Sequence, residues 1–567
     1  MTSALLAATC IFAASAGLTP ALDTRDAVLQ PFGNQLSAAQ ITGQYTAHGA
    51  IGVSSKVRQG DRTPTFFDDW YQRIHVTPAQ LAMGNVVSVQ TRMIAIWNAW
   101  LNTPQTLSAF AEQGADGITI TAPVSAPAVF GPGQEIDWTI SIGSDGPPVV
   151  DAVLTWTFTG LSPVTAEVTG NRITAWSQPP DWGGDGVTEN LAWLTDIITP
   201  VTGVEQRRQL RIAPRRTFDF DTILTAQARR FMEASLFDWS ARTWALPIWA
   251  DGSVLGSDVL QGDATIAVDT SNRDYVQGGL AMIIGDATTY EIVEVDSVTA
   301  DSLALLHPTA NAWPLGTARI YPVRTTRLAS YPTLTRHTSD YSTVSPSFIT
   351  VEPCDWTADA GTAGYRSFPV FERRPNTTQE PTSTYNRLTV ITDPGPGLVD
   401  VDDTAGVGVP SHTHRFVLDG GAPDRAALRS MLYALAGRAG AIWVPTWTDD
   451  LVLLGQVANG AQTIDVEWSG YTRFLQGQIG RRDIRIELND GTVRYRRLIG
   501  WTELDANTER LSLDTALDVA FGPVDVREIS YLTLSRLDND TIKMTHVQTL
   551  DGYAFVDLTW RADPRDV

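Results

Sequence analysis

The sequence predicts a mainly β, multidomain chain: a β-sandwich followed by two duplicated β-rich units, each introduced by a short helix. Three observations predict it. Strand-favouring Val, Ile, Thr, Tyr and Trp are plentiful, and 45 Gly with 32 Pro supply turns. Apolar residues alternate with polar ones in many short runs, while long helical periodicity is rare. The chain also contains itself twice. Phe218, Pro247, Trp249, Asp251, Thr265 and Ile266 recur at an offset of 198 as Phe416, Pro445, Trp447, Asp449, Thr463 and Ile464. Recurrence of bulky, buriable residues at a fixed period marks a duplicated structural unit. At 567 residues the chain also exceeds what one core can organise.

Taken in order, residues 1–60 are rich in Ala, Gly, Ser and Gln and read as an N-terminal arm. Their first 17 residues imitate a secretory signal but lack a Lys or Arg ahead of the apolar run, so we expect an apolar arm that packs on a neighbour. Residues 61–165 are expected to form the sandwich, opened by the aromatic patch Phe66–His75, a tightly packed junction. Ile94 and Ile96, then Ile136, Trp138, Ile140 and Ile142, then Leu154, Trp156 and Phe158 alternate with polar residues. With Gly84–Asn98 and Pro132 this stretch resembles immunoglobulin-like adhesive modules.

Repeat unit 1 is expected over 166–335, with a helix near 222–237; residues 336–370 read as a linker. Repeat unit 2 is expected over 371–540. There Asp424 is a plausible N-cap, and Leu428, Met431, Leu432 and Leu435 fall at i, i+3, i+4 and i+7. Each helix runs into a Trp/Pro/Trp segment, Trp244–Asp251 or Trp443–Asp449, one copy having an extra residue between its first Trp and the Pro. Ile484–Tyr495 is the clearest hairpin, its Asp490-Gly491 supplying the positive φ of a tight turn; Met282–Tyr290 is its counterpart. Residues 391–412 read as a surface loop. Residues 541–567 read as a C-terminal strand or arm, open to pairing with a neighbouring subunit.

Composition excludes some functions. A net charge of −22 argues against nucleic-acid binding, and no stretch resembles a membrane span. Cys10 and Cys354 fit no zinc or CxxC spacing and are expected to be free thiols. There is no GxSxG, HExxH or phosphate loop, and Gly131-Pro-Gly133 reads as a turn. His412-Thr-His414 places two imidazoles on one strand face, and Asp400-Val-Asp-Asp403 is faintly like a calcium loop, but neither has the further ligands a metal needs. Trp249/Asp251 and Trp447/Asp449 could stack a sugar, although recurrence with a fixed proline favours a shared core. No catalytic, cofactor-binding or metal-binding residue is therefore assigned, and no enzymatic role is expected.

The order of several segments carries a resemblance. Phe67–Pro78 with Gly84-Asn85 and Trp97-Asn98 is similar to the N-terminal part of tail proteins from long-tailed, Mu-like and related bacteriophages. So are Val187–Asp196, Glu205–Arg211 and Pro214–Arg216, and the two helix-then-Trp/Pro/Trp units resemble the repeated domains of such tail-tip proteins. The resemblance covers most of residues 60–540, and the family has no catalytic residues to carry over. It implies a virion component assembled in the host cytoplasm: a homo-oligomeric ring, three or six copies by analogy to tail symmetry, linking the tail end to fibres or receptor-binding proteins. The alternatives are a receptor- or glycan-binding tail adhesin and a cell-wall-cleaving tail enzyme. The repeats also differ in charge. Arg481-Arg482 and Arg494–Arg497 in the second stand against Asp286 and Glu291–Asp296 in the first, so we expect the two to face different partners, one toward the tail axis and one outward.

Overall fold

The computed structural model describes residues 70–86, 89–143, 149–200, 203–548 and 552–566. The expected arm over 1–60, with Cys10, and Phe66–Asp69 lie outside them. The described chain is mainly β, and its contacts divide it into two units that meet between Thr174 and Ala175.

The first unit is a two-sheet β-sandwich. One sheet has four strands, Ile74–Thr77, Gln90–Asn98, Glu135–Ile142 and Ile118–Thr121. The other has five, Gln80–Val86, Val164–Arg172, Val149–Phe158, Gln105–Gln113 and Ala128–Phe130. Period-2 alternation sends Ile94, Ile96, Trp138, Ile140, Ile142, Leu154, Trp156 and Phe158 into one core between the sheets. Trp138 and Trp156 meet edge to face there, with centroids 5.6 Å apart. The sandwich reaches Arg172, past the boundary expected at 165. Gly131-Pro-Gly133 is the expected turn: Gly133 has φ +70°, and the buried Asn98 amide donates to the carbonyls of Phe130 and Gly131. Trp70, His75 and Trp97 form the described part of the aromatic junction, His75 stacking on Trp97 at 5.2 Å.

The second unit holds both repeats, and their pairing schemes match. In repeat 1 the strand Arg319–Leu328 pairs with Trp244–Pro247, Leu280–Ile284 and Ser347–Thr350. In repeat 2 Val526–Leu537 pairs with Ile442–Pro445, Asp483–Leu488 and Ala554–Ala562. Each repeat continues into a four-strand meander. Leu280–Ile284, Tyr290–Val298, Ser302–Leu305 and Thr265–Ala267 form one; Asp483–Leu488, Val493–Asp505, Thr508–Leu513 and Thr463–Glu467 form the other. Even isolated bridges recur: Leu255 with Val268 and Leu453 with Val466, at the same offset of 198. The expected hairpin is the turn of the second meander, with Gly491 at φ +86°.

Each repeat has two cores. Ile266 and Ile464 lie in the meander cores, and Phe218 and Phe416 lie in the cores beneath the helices. Helix α1 (Ala226–Trp239) starts later than expected because Thr222–Thr225 forms a strand. Helix α2 (Gly421–Leu435) buries Leu428, Met431, Leu432 and Leu435 as its period predicts. Asp424 is not the N-cap but lies inside the first turn, where it accepts from Gly420 N–H and pairs with Arg373.

Two further expectations fail, and a third holds in part. The linker over 336–370 includes Tyr341–Val344 and Ser347–Thr350; the latter pairs with Arg215–Phe220 and Arg319–Leu328 and so completes repeat 1. The loop over 391–412 is most of a long hairpin, Thr382–Thr392 with Asp400–Leu418. The C-terminal segment is strand, as expected, but paired within the chain and not a free arm: Met544, Val556, Leu558 and Trp560 are fully buried in the core with Phe416. Small polar residues hid the strands of the first two segments, since Ser and Thr serve loops and strand faces alike.

Candidate functional site

Charged residues concentrate where the two repeats meet. The strand Val187–Ala192 pairs with Arg215–Phe220 of repeat 1 on one side and with Thr541–His546 of repeat 2 on the other, joining both into one sheet. Its alternation points Val187, Glu189 and Leu191 inward. Leu191 and the adjacent Trp193 enter the core of repeat 2, worth roughly 1.5–3 kcal/mol each. The same alternation buries the Glu189 carboxylate.

Helix α2 supplies the partners. Arg425, Arg429 and Tyr433 fall at i, i+4 and i+8 and form one stripe directed at repeat 1. Arg425 donates to Ala250 O at 2.9 Å, and Arg429 reaches Asp251 at 3.4 Å and Glu189 at 3.2 Å. Tyr433 donates to Cys354 O and packs edge to face on Trp193. Glu189 also pairs with Arg216 at 2.8 Å and His546 at 3.0 Å. Arg216 and Arg324 share Asp274, and Arg324 continues to Glu352 at 3.0 Å. Four guanidiniums and four carboxylates thus cluster at the seam, all but Glu352 buried; Arg425 and Arg429 reach across it, while Arg216 and Arg324 pair within repeat 1.

Burial pushes the Glu189 and Asp274 carboxyls up, but the guanidiniums outweigh it. Arg429 and Arg216 hold Glu189 well below the usual carboxylate range, and Arg216 and Arg324 do the same for Asp274. Burial lowers Arg216 and Arg429 while their carboxylates raise them further, and the net shift is upward. These groups stay ionised across the neutral range, unlike a general acid or base tuned to operate near pH 7. What the arrangement does chemically is fix register: a repeat displaced along the seam would strand several buried charges, at several kcal/mol each.

The residues singled out from sequence lie elsewhere or play other parts. His412 and His414 are buried and parallel, centroids 6.3 Å apart, and burial pushes both down to about 4. His412 Nδ1 bonds Ser383 Oγ at 2.8 Å, but its Nε2 has no partner, so no carboxylate orients it as the base of a Ser–His pair. Among the described residues no group of three His, Cys, Asp or Glu side chains could hold a metal. Asp400, Asp402 and Asp403 pair along the hairpin with Thr392, Val390 and Thr389. Cys354 is a free, buried thiol.

The Trp/Asp pairs diverge. Trp249 and Asp251 are buried at the seam, whereas Trp447 is half-buried and Asp449 exposed. The guanidiniums of Arg374 and Arg485 lie 5.1 and 4.9 Å from the Trp447 ring. The extra residue in one copy matters too. Pro247 and Pro445 align in register, which sets Trp244 opposite Thr326 and Trp443 opposite Leu534. Trp244 therefore joins the core with Phe218, while Trp443 points to the other face and packs with Val370 and Leu532. A core shared by all these tryptophans is thus ruled out.

The arginines that mark repeat 2 are largely paired within the chain, whereas the acidic residues of repeat 1 meet neutral donors. Arg494 pairs with Asp518 at 2.6 Å, Arg497 with Asp483 at 2.8 Å, and Arg482 with Asp566. Glu291 accepts from Trp313 Nε1 at 2.8 Å.

No family model matches the chain, and no curated protein matches it. Among solved structures it is similar to the secreted serine protease VesC from Vibrio cholerae, at 9% identity and a TM-score of 0.15 over 43% of this chain and 49% of that one. The chain spans about half the length of that protein, and a likeness this slight carries no argument. Among the described residues no helix is long and apolar enough to cross a membrane.

The seam residues were missed in the sequence, yet signals existed. Glu189 occupies an inward position of an alternating strand, and Arg425 and Arg429 are spaced i, i+4 beside an apolar helical stripe. A charge at a core-facing position of a periodic segment announces a buried partner.

Proposed function

We propose that the chain is a structural subunit of a bacteriophage tail tip or baseplate, forming an oligomeric ring that connects the tail end to fibres or receptor-binding proteins. Its work is mechanical, with no catalytic step, and its partners are other tail proteins: the tube end, the hub and the fibres. The observation that carries this reading is the duplicated β unit, locked to its own copy by a buried, ion-paired seam. Two like units in fixed register make a ring segment, and heterologous contacts of this kind close into rings when the rotation permits. The sequence resemblance to tail proteins supplies the setting.

Electron cryo-microscopy of virions carrying this chain tests the proposal. A ring of density fitting both repeats is expected around the tail axis at the distal end. Virions lacking the chain, or turnover of peptidoglycan by the purified protein, would sink it.

A further inference from the structure

A cleft of about 760 Å3 lies where the two repeats meet, lined by residues 272–276 of repeat 1, by residues between 355 and 373, and by helix α2. Its volume suits a small-molecule site. Pro423, Ala426, Ala427 and Ser430 fall at i, i+3, i+4 and i+7 and give that side of α2 short side chains, which leaves the space open.

The segment 355–361 is pinned to α2. Trp356 Nε1 donates to Ser430 Oγ at 3.0 Å, and Asp359 N–H donates to Ser430 O at 3.0 Å. The Arg429 guanidinium lies over the Trp356 ring at 4.7 Å. The indole is therefore held on one face and at its edge, yet it stays half-buried and lines the cleft. A ring fixed before a ligand arrives loses little freedom when one binds.

The polar groups around that ring are mostly acceptors. Asn272, Asp355, Thr357 and Asp359 are exposed at the cleft. Asp355 makes no ion pair or side-chain hydrogen bond among the described residues, and Asp359 uses one oxygen on Gly361 N–H at 2.8 Å. The cations of the cleft are already matched: Arg373 pairs with Asp424, and Arg273 donates to Ser253 Oγ at 2.6 Å. Open carboxylates repel phosphates, sulfates and acidic sugars and accept from O–H donors. A wholly apolar ligand would strip water from them without replacing it. A pyranose meets both demands, since its C–H face packs on an indole while its hydroxyls donate outward.

We infer that this cleft binds a neutral oligosaccharide, with a sugar ring on Trp356 and hydroxyls donating to Asp355 and Asp359. Because both repeats line it, the site is complete only while the seam is closed. It adds a binding function to the subunit and does not depend on the ring.

Isothermal titration calorimetry on the full chain tests it, with maltotriose, cellotriose and triacetylchitotriose as probes and sialyllactose as the acidic control. At least one neutral trisaccharide should bind with a Kd of about 1 mM or tighter, and sialyllactose should not. Asp355→Ala, and Asp359→Asn, which keeps an acceptor for Gly361, should each weaken binding about fivefold or more, as loss of a hydrogen bond to a charged group does. Both positions are exposed, and unchanged melting would show that the fold is kept. Trp356→Phe retains an aromatic face and should keep measurable binding, whereas Trp356→Leu should lose it, a split that packing alone does not produce. Leu306→Glu, on the exposed meander of repeat 1, should change nothing. No saturable binding by any of the three neutral sugars would overturn the inference, as would binding that neither carboxylate substitution weakens. Saturable binding of a Lys–Ala repeat peptide in place of the sugars would assign the cleft to a basic protein segment instead.

Discussion

Glu189→Gln is the sharpest perturbation of the seam. It keeps side-chain volume and one acceptor oxygen but removes the charge that meets Arg216 at 2.8 Å, Arg429 at 3.2 Å and His546 at 3.0 Å. At an effective dielectric of about 20, one such pair interacts by about 4 kcal/mol at a charge separation of about 4 Å. Relief of the carboxylate's own desolvation offsets part of that, and removing one partner of a buried pair costs about 3–5 kcal/mol in practice. Arg429 would retain only Asp251, at 3.4 Å, within a cluster left with more guanidiniums than carboxylates. The assay is urea unfolding followed by tryptophan fluorescence, with Trp356 at 4.7 Å from the Arg429 guanidinium as a local reporter. A double-mutant cycle with Arg429→Met should give a coupling of about 2 kcal/mol or more.

Acid supplies an internal control. The Glu189 pKa is depressed in the folded chain, so its contribution is present above the unfolded value of about 4.3 and fades as pH falls through the folded value. The gap between wild type and Glu189→Gln should therefore narrow below about pH 4. A loss under about 1 kcal/mol at pH 7, or no coupling to Arg429, would refute the seam as a charge-locked joint.

Two further outcomes follow from the same structure. His412 and His414 are held neutral with values of about 4, so the unfolded chain binds more protons between pH 4 and 6.5 and stability falls as pH drops through that window. At pH 5 the loss is roughly 2 kcal/mol for each, and replacing both by Gln should flatten the urea midpoint between pH 6.5 and 4; an unchanged slope would contradict the assignment. Gly186 has φ +71°, and a Cβ there would lie 2.1 Å from His546 O on the seam strand. Gly186→Ala should cost about 3 kcal/mol or more in urea unfolding, whereas Gly491→Asn, at an open hairpin turn, should cost under about 1 kcal/mol; equal effects would remove the steric argument.

The parts of this fold that were legible are those whose signal is local. Alternation exposed the sandwich strands, because Trp138, Ile140 and Ile142 face one core. The i, i+3, i+4, i+7 spacing exposed α2, and Asp490-Gly491 exposed a hairpin through its turn. The seam was illegible because its charges come from segments separated by up to 357 positions, as between Glu189 and His546. Each reads alone as a solvated surface charge. The final strands were legible as strands but not their partners: Thr541–His546 completes a sheet whose other strand lies in repeat 1, and no local pattern names a distant partner.

The duplicated residues sort into two groups, and the sorting carries the argument forward. Phe218 and Phe416, or Ile266 and Ile464, are buried alike, because each repeat must close its own cores. Trp249 and Trp447, or Asp251 and Asp449, keep their identity while their surroundings differ. The corner Trp249–Asp251 meets helix α2 of the other repeat, whereas within its own repeat Trp447 lies against Arg374 and Arg485 and Asp449 accepts from Ile529 N–H.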